Sequence, residues 1–237
     1  MDLSERRNAL ERFYEVIAIL EIAQGGKRAL SECSWHMDWP RRGVYFFFED
    51  GEFREDGITP RVTRVGTHAL RPSKSTLWGR LSQHKGHVGG SMPGGGNHRG
   101  SIFRLHVGTA ILATREWPVS IQANWGKGST ADLAVRKAEY PLEVAVSRYV
   151  GSMPFLWLGV DDEPSLGSDR GEIETGAISL LSNRSRPAID PPSASWLGQF
   201  ADRAAVRESG LWNVSHVDDL PTSKFLDLIS NHLKELI

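Results

Sequence analysis

Between Gly57 and Arg115 the chain has no Asp or Glu, yet this stretch holds nine Lys/Arg residues and five of the eight histidines. The net charge of the whole chain is only −1, so the cations are segregated rather than abundant. Segregation of this kind points to a polyanionic partner, because many weak attractions to phosphates add up over one surface. Within the stretch, Arg80 and His84 stand four residues apart in a helix-like run over 75–84 and therefore share a face. A guanidinium is a planar, permanently charged fork that suits a phosphoryl group. An imidazole titrates near neutrality and can pass protons or orient a phosphate. Further along, Glu174 falls on the same helical stripe as Ile178 and Leu181. A carboxylate beside a core needs a partner, and a metal ion is one.

The elements that must position these residues follow from the pattern. Residues 43–48 are apolar on both faces, which predicts a central strand. Turn signals at Asp50-Gly51 and Asp56-Gly57 join it to a second, antiparallel strand over 61–66. That strand ends on Gly66, where a side chain would obstruct the approach of a ligand to the backbone. Leu77 and Leu81 place a helix over 75–84. Residues 89–100 contain six glycines. With no strand before them and no Lys-Ser/Thr after them, they do not form a nucleotide P-loop. They are expected to order over a nucleic-acid backbone, with Lys74, Lys85, His98 and Arg99 as phosphate contacts that position without specifying.

The alternation of Phe103, Leu105 and Val107 against Ile102, Arg104 and His106 predicts a third strand over 101–107. Ser129 or Thr130 could cap a helix from Ala131, and Pro141 interrupts its pattern. A short buried strand is expected over 155–160. Asp169 and Glu172 fit a capping box that opens a helix ending near Asn183. Amphipathic helices are expected at both ends. One covers 3–24, with Leu10, Phe13, Tyr14, Ile17 and Leu20 on one face. The other covers 221–237, with Phe225, Leu228, Ile229, Leu233 and Leu236 near one face.

Composition sets the outer bounds. A single cysteine, Cys33, excludes an internal disulfide framework and a cysteine-based zinc site, and it fits a reducing compartment. The first residues are polar, and no apolar run approaches the ~20 residues that span a bilayer. The expectation is a cytoplasmic chain without membrane association. It is read as one domain of 1–237: an N-terminal helix and connector (1–40), a core (41–200) with an insertion at 108–150, and a C-terminal helical extension (201–237). The fold class is α+β, a small, mainly antiparallel sheet flanked by helices.

In their order, these landmarks resemble the GIY-YIG nuclease superfamily over roughly 41–200. Gly43-Val44-Tyr45 matches the first signature tripeptide. Arg64-Val65-Gly66 sits where the second would be, with Arg64 in place of the usual tyrosine. Arg80 matches the arginine of the helix that follows, and His84 matches a histidine that some restriction-enzyme members carry four residues later. Glu174 matches the metal-binding glutamate of a later helix, and Asn183 the asparagine after it, which the resemblance would set against the nucleic acid.

The resemblance implies a metal-dependent endonuclease that hydrolyses DNA phosphodiester bonds, RNA being an alternative substrate. Glu174 would hold one Mg²⁺ or Mn²⁺, Tyr45 would stand at the attacking water, and Arg64, Arg80 and His84 would complete the catalytic set. A phenol ordinarily titrates near 10, so cations must tune it if it is to act as a base. An enzyme that cuts two strands is often a homodimer.

Each of these residues also has a purely structural reading. Tyr45 could be a core tyrosine, Arg80 and His84 a solvated helix face, and Glu174 a first-turn residue favoured by the helix dipole. Their coincidence in order favours the functional reading. Its rivals are a nucleic-acid-binding module with weak or no catalysis on the same fold, and a structural domain whose basic stretch binds a protein or an anionic ligand.

Overall fold

The computed structural model describes every residue except Val88, Leu166, Leu236 and Ile237. In chain order the elements are α1 (Leu3–Ala23), β1 (Arg28–Ala29), β2 (Gly43–Phe53), β3 (Pro60–Gly66), α2 (Leu77–Lys85), α3 (Ile102–Thr114), α4 (Val119–Asn124), α5 (Leu133–Ser152), β4 (Pro154–Gly159), α6 (Asp169–Leu181), α7 (Ala204–Ser209) and α8 (Lys224–Lys234). The four strands form one sheet in the order β1-β4-β2-β3, with every neighbouring pair antiparallel. Among the described residues, no helix is long and apolar enough to cross a membrane.

The apolar run of β2 is explained by its central place. Successive side chains of a strand point to opposite faces, and both faces of β2 are covered. Tyr45 and Phe47 pack with Leu77 and Leu81 of α2, Phe103 and Val107 of α3, and Leu142 and Val146 of α5. Val44, Phe46 and Phe48 pack on the other face with Phe13 and Ile17 of α1, Ile173 and Ala177 of α6, and Phe225 and Ile229 of α8. Each such buried side chain contributes roughly 1.5–3 kcal/mol through removal of apolar surface from water. The sheet therefore separates two helical layers, α2, α3 and α5 on one side and α1, α6 and α8 on the other.

The stretch expected as a third strand is helical. Ser101 caps α3 by accepting the Arg104 amide at 3.3 Å. Phe103, Val107, Ala110 and Ile111 then fall at helical spacing and are buried. The alternation over 101–107 covers too few residues to separate a strand from a helix, and the apolar positions beyond Val107 decide for the helix. The face expected to be open is also covered: Arg104 and His106 are buried, and Arg104 pairs with Glu143 of α5 at 2.5 Å.

Three smaller departures have local causes. Asp132 caps α5 through the Val135 amide at 2.8 Å, and the helix runs through Pro141, which sits on its exposed side. On α6 the cap is Ser168, whose hydroxyl accepts the Gly171 amide, so Asp169 is the first helical residue rather than the cap. In α8, Phe225, Leu226, Ile229 and Leu233 are buried against α1 and α6, which covers the apolar stripe within the chain. Leu236, expected on the same stripe, lies outside the described residues.

Candidate active site

Tyr45 sits in β2 directly opposite Gly66 of β3, and both are buried. A Cβ placed on Gly66 would lie 2.3 Å from the Tyr45 hydroxyl, so glycine leaves the room in which the phenol crosses the neighbouring strand. The sequence assigned that space to a ligand, whereas it is filled by the chain's own tyrosine. The phenol thereby reaches α2, where its oxygen lies 2.8 Å from His84 Nε2. The other ring nitrogen, Nδ1, lies 2.7 Å from the Ser101 hydroxyl. Burial, followed by the charges of Arg80, Arg64 and Arg104, holds the His84 pKa well below the usual histidine value, so the ring is neutral.

Arg64 enters from β3 on the same face as Tyr45. Its Nη1 donates to the Trp212 carbonyl at 2.8 Å, and its guanidinium lies 4.6 Å from the Phe103 ring centroid. Burial lowers its pKa, with the neighbouring Tyr45 opposing that effect and the charge of Arg80 adding to it. Arg80 lies nearer the surface and donates to Gln83 Oε1 at 3.0 Å and to the Gly100 carbonyl at 3.3 Å. Among the described residues it has no salt-bridge partner, and neither does Glu174.

Glu174 approaches from the other layer. Its helix, α6, packs on the α1 and α8 side of the sheet, but its carboxylate reaches the end of β3, where Oε1 accepts the Thr67 amide at 3.1 Å. Burial raises its pKa, and the charge of Arg64, the Thr67 amide, His216 and Arg80 oppose that rise in turn. Thr67 also donates its hydroxyl to the Gly43 carbonyl at 2.7 Å, tying the end of β3 to the start of β2. Tyr45, Arg64, Arg80, His84 and Glu174 thus form one electrostatic neighbourhood at the end of the sheet, assembled from both layers.

The five residues expected to meet nucleic acid are not brought together. Lys74 is exposed in the loop before α2. The Lys85 ammonium donates to the carbonyls of Ser31 at 2.9 Å and Cys33 at 2.5 Å. His98 is buried, stacked 3.8 Å from Trp125 and 2.9 Å from Glu143. Arg99 makes a two-pronged bond to Glu139 at 2.7 and 2.8 Å. Asn183 accepts from Arg6 at 3.0 Å and from the Ile189 amide at 2.9 Å. Lys85, His98, Arg99 and Asn183 are thus held by partners within the chain, with Arg99 Nε left unpartnered among the described residues.

The glycine-rich loop is also folded onto its neighbours. A Cβ on Gly96 would lie 2.2 Å from the Arg104 guanidinium, so the backbone there packs directly on the Arg104–Glu143 pair. The anions that meet this part of the basic stretch come from α5, beyond its end in sequence. Among the residues that sequence reasoning missed are Ser101, Thr67, Trp212 and Asn213. Trp212 donates its amide to Thr63 at 2.8 Å, and Asn213 pairs with both backbone groups of Val65. They cover the free edge of β3. Ser101 carried a signal, a hydroxyl residue before an apolar run, that the strand assignment obscured.

An antiparallel sheet between two helical layers, with a tyrosine, two arginines, a histidine and a glutamate at its end, defines the α+β class to which small nuclease domains belong. The family model of the GIY-YIG domain matches residues 4–236. The chain belongs to this family, and with it to the GIY-YIG nuclease superfamily. The match takes in most of α1 and all of α8, both outside the 41–200 span of the signature residues. No curated protein and no solved structure matches the chain.

Proposed function

We propose that the chain is a metal-dependent endonuclease acting on DNA phosphodiester bonds. The observation that supports this most directly is the Tyr45–His84 hydrogen bond at 2.8 Å, set among Arg64 and Arg80 with Glu174 at the same end of the sheet. In the reaction, a water oxygen bonds to phosphorus while the bond to the leaving oxygen breaks. Tyr45, as phenolate, takes the water's proton and later releases it to solvent, while the leaving oxygen takes its proton from a solvent water. Arg80, free of any salt bridge, donates to the phosphoryl oxygens as their charge grows. Arg64 supplies a buried positive charge beside the phenol, in the place of the family's second tyrosine.

The donor set fits Mg²⁺ or Mn²⁺. Glu174 offers a hard oxygen donor with no competing ion pair, and such cations commonly take only one or two protein carboxylates, filling their shell with water and phosphate oxygens. When bound, the ion would polarise the phosphoryl group and neutralise its growing charge.

A second reading, a nucleic-acid binder without catalysis, is favoured by one observation. Tyr45 and Arg64 are both buried, and Arg64 is held to the Trp212 carbonyl. Incubating the protein with plasmid, linear and branched DNA, with Mg²⁺ or Mn²⁺ and with chelator, separates the two. Cleavage that needs the cation and disappears in Glu174→Ala supports the enzyme. Binding without cleavage under every condition supports the binder. Cleavage by Glu174→Ala in chelator would place the activity elsewhere.

A further inference from the structure

Ser101 is 1% exposed. Its hydroxyl has two hydrogen-bond neighbours among the described residues: the Arg104 amide, which donates to it, and His84 Nδ1. A buried hydroxyl proton needs an acceptor. An amide N–H cannot accept, so the Ser101 proton goes to Nδ1. A ring nitrogen that accepts carries no proton. Tyr45 is as buried, and Nε2 is the one acceptor beside its hydroxyl among the described residues, so a neutral ring cannot accept from both hydroxyls. A phenol is far more acidic than an alcohol and is the one that can give up its proton; with Nδ1 accepting from Ser101, the single proton of neutral His84 is on Nε2 and points at the Tyr45 oxygen. We propose that Ser101 is a positioning residue that locks His84 in the Nε2–H tautomer and so makes His84 a hydrogen-bond donor to Tyr45.

The opposite tautomer reverses both hydrogen bonds. With the proton on Nδ1, the Ser101 hydroxyl would lose its acceptor in a buried site. Nε2 would then accept from Tyr45 and hold the phenol in its protonated form. With the proton on Nε2, His84 instead favours the phenolate, the form that can take a proton from water. The charged groups around this chain act in the same sense from three elements: Arg64 from β3, Arg80 from α2 and Arg104 from α3. The Arg104 charge is balanced by Glu143 of α5, and Glu174 of α6 acts against them from the end of the sheet. The tautomer stands on the burial and spacing of Ser101, His84 and Tyr45 together with a neutral ring, while its catalytic consequence rests on the nuclease reading.

Nitrogen NMR of histidine-labelled protein tests the proposal, because protonated and bare ring nitrogens resonate far apart and His84→Gln identifies the signal. The wild type should show Nε2 protonated and Nδ1 bare. Ser101→Ala should lower the Nε2–H population, and Ser101→Thr, which keeps both the hydroxyl and the helix cap, should restore it. In cleavage assays, the low-pH limb of the rate profile should move to higher pH in Ser101→Ala and return in Ser101→Thr. A wild-type His84 protonated on Nδ1 would overturn the proposal, even if Ser101→Ala does not fold. So would a Ser101→Ala protein with an unchanged tautomer. A wild type that cleaves nothing but shows the Nε2–H ring would support the tautomer and count against the nuclease reading alone.

Discussion

Tyr45 and Gly66 face each other across β2 and β3, and the phenol occupies the space that any side chain at position 66 would need. Gly66→Ala should therefore act on the site through the tyrosine. The new methyl group meets both the hydroxyl and the ring, and the ring is enclosed by α2 and α3, so it cannot move aside freely. Overpacking of this kind costs about 1–3 kcal/mol, and it should break the 2.8 Å contact with His84. Denaturant unfolding should show the loss of stability, and His84 ring signals should shift. A variant as stable as wild type with an unperturbed His84 would refute the account of this glycine.

Removing the two unpaired charges should have different effects. Glu174→Ala should abolish cation-dependent cleavage while DNA binding persists or improves, since a negative charge has left a surface facing phosphates. Arg80→Ala should retain cation binding and lose a donor to the phosphoryl group, which commonly costs ~10²–10³ in rate. Calorimetric titration with Mn²⁺ distinguishes them: equal loss of cation binding in both variants would contradict the roles assigned.

Arg64→Tyr restores the residue usual in the family. If arginine is a working substitute, activity should stay within roughly tenfold, about 1.4 kcal/mol. An inert wild type whose tyrosine variant cleaves would show that Arg64 marks a lapsed site. The assay is single-turnover cleavage of the same DNA by both proteins.

Lys74 and Arg99 should separate binding from folding. Lys74→Ala should weaken DNA binding about equally across sequences and lower the salt dependence by about one counterion, with stability unchanged. Arg99→Ala should destabilise the protein, because Glu139 is left buried without its partner. Matching changes in the salt slope for both variants would contradict this division.

Stability should fall on mild acidification. Among the described residues, His68 and His106 are buried with neither ring nitrogen in a well-formed hydrogen bond, His106 Nδ1 lying 3.6 Å from an Asp202 oxygen, and burial pushes the pKa of each down to about 4. Arg170 pushes His68 the same way, while Asp202 partly opposes the shift of His106. Between pH 6.5 and about 4 the unfolded chain takes up protons that the folded chain refuses, so stability drops as pH falls through that window. Each histidine accounts for up to about 3 kcal/mol. Glu143, whose pKa is lowered by His98 and Arg104 against the effect of burial, adds a further loss as pH falls through its lowered value. Unfolding midpoints measured from pH 7 to 4 should show the decline, and His106→Gln should flatten it.

The elements legible in the sequence were those with long or strongly periodic patterns: α1, α8 and the β2–β3 pair. The five residues expected at the site came from the order of the family resemblance, and the structure gathers them at one end of the sheet although Glu174 lies in a different layer from the rest. What could not be read was pairing at a distance. The absence of acids from 57–115 suggested an open cationic surface, but Glu139 and Glu143 return from α5 to meet Arg99 and Arg104, and Glu52 meets Arg61. Charge segregation along a chain is not segregation in space. The 101–107 strand failed for a related reason, since a run of seven residues fits both periods when the residues that complete the helix lie beyond it.

Thr67 joins the end of β3 to both sides of the site. Its amide holds Glu174, and its hydroxyl holds the strand that carries Tyr45. The carboxylate is thus delivered by a helix made late in the chain, α6. During synthesis, the phenol, both arginines and the imidazole emerge first and can fold against one another, but the acid that would bring in the cation follows only with α6. A nascent or truncated chain ending before that helix has no means of assembling the complete set. The proposed site therefore stays incomplete until α6 is in place.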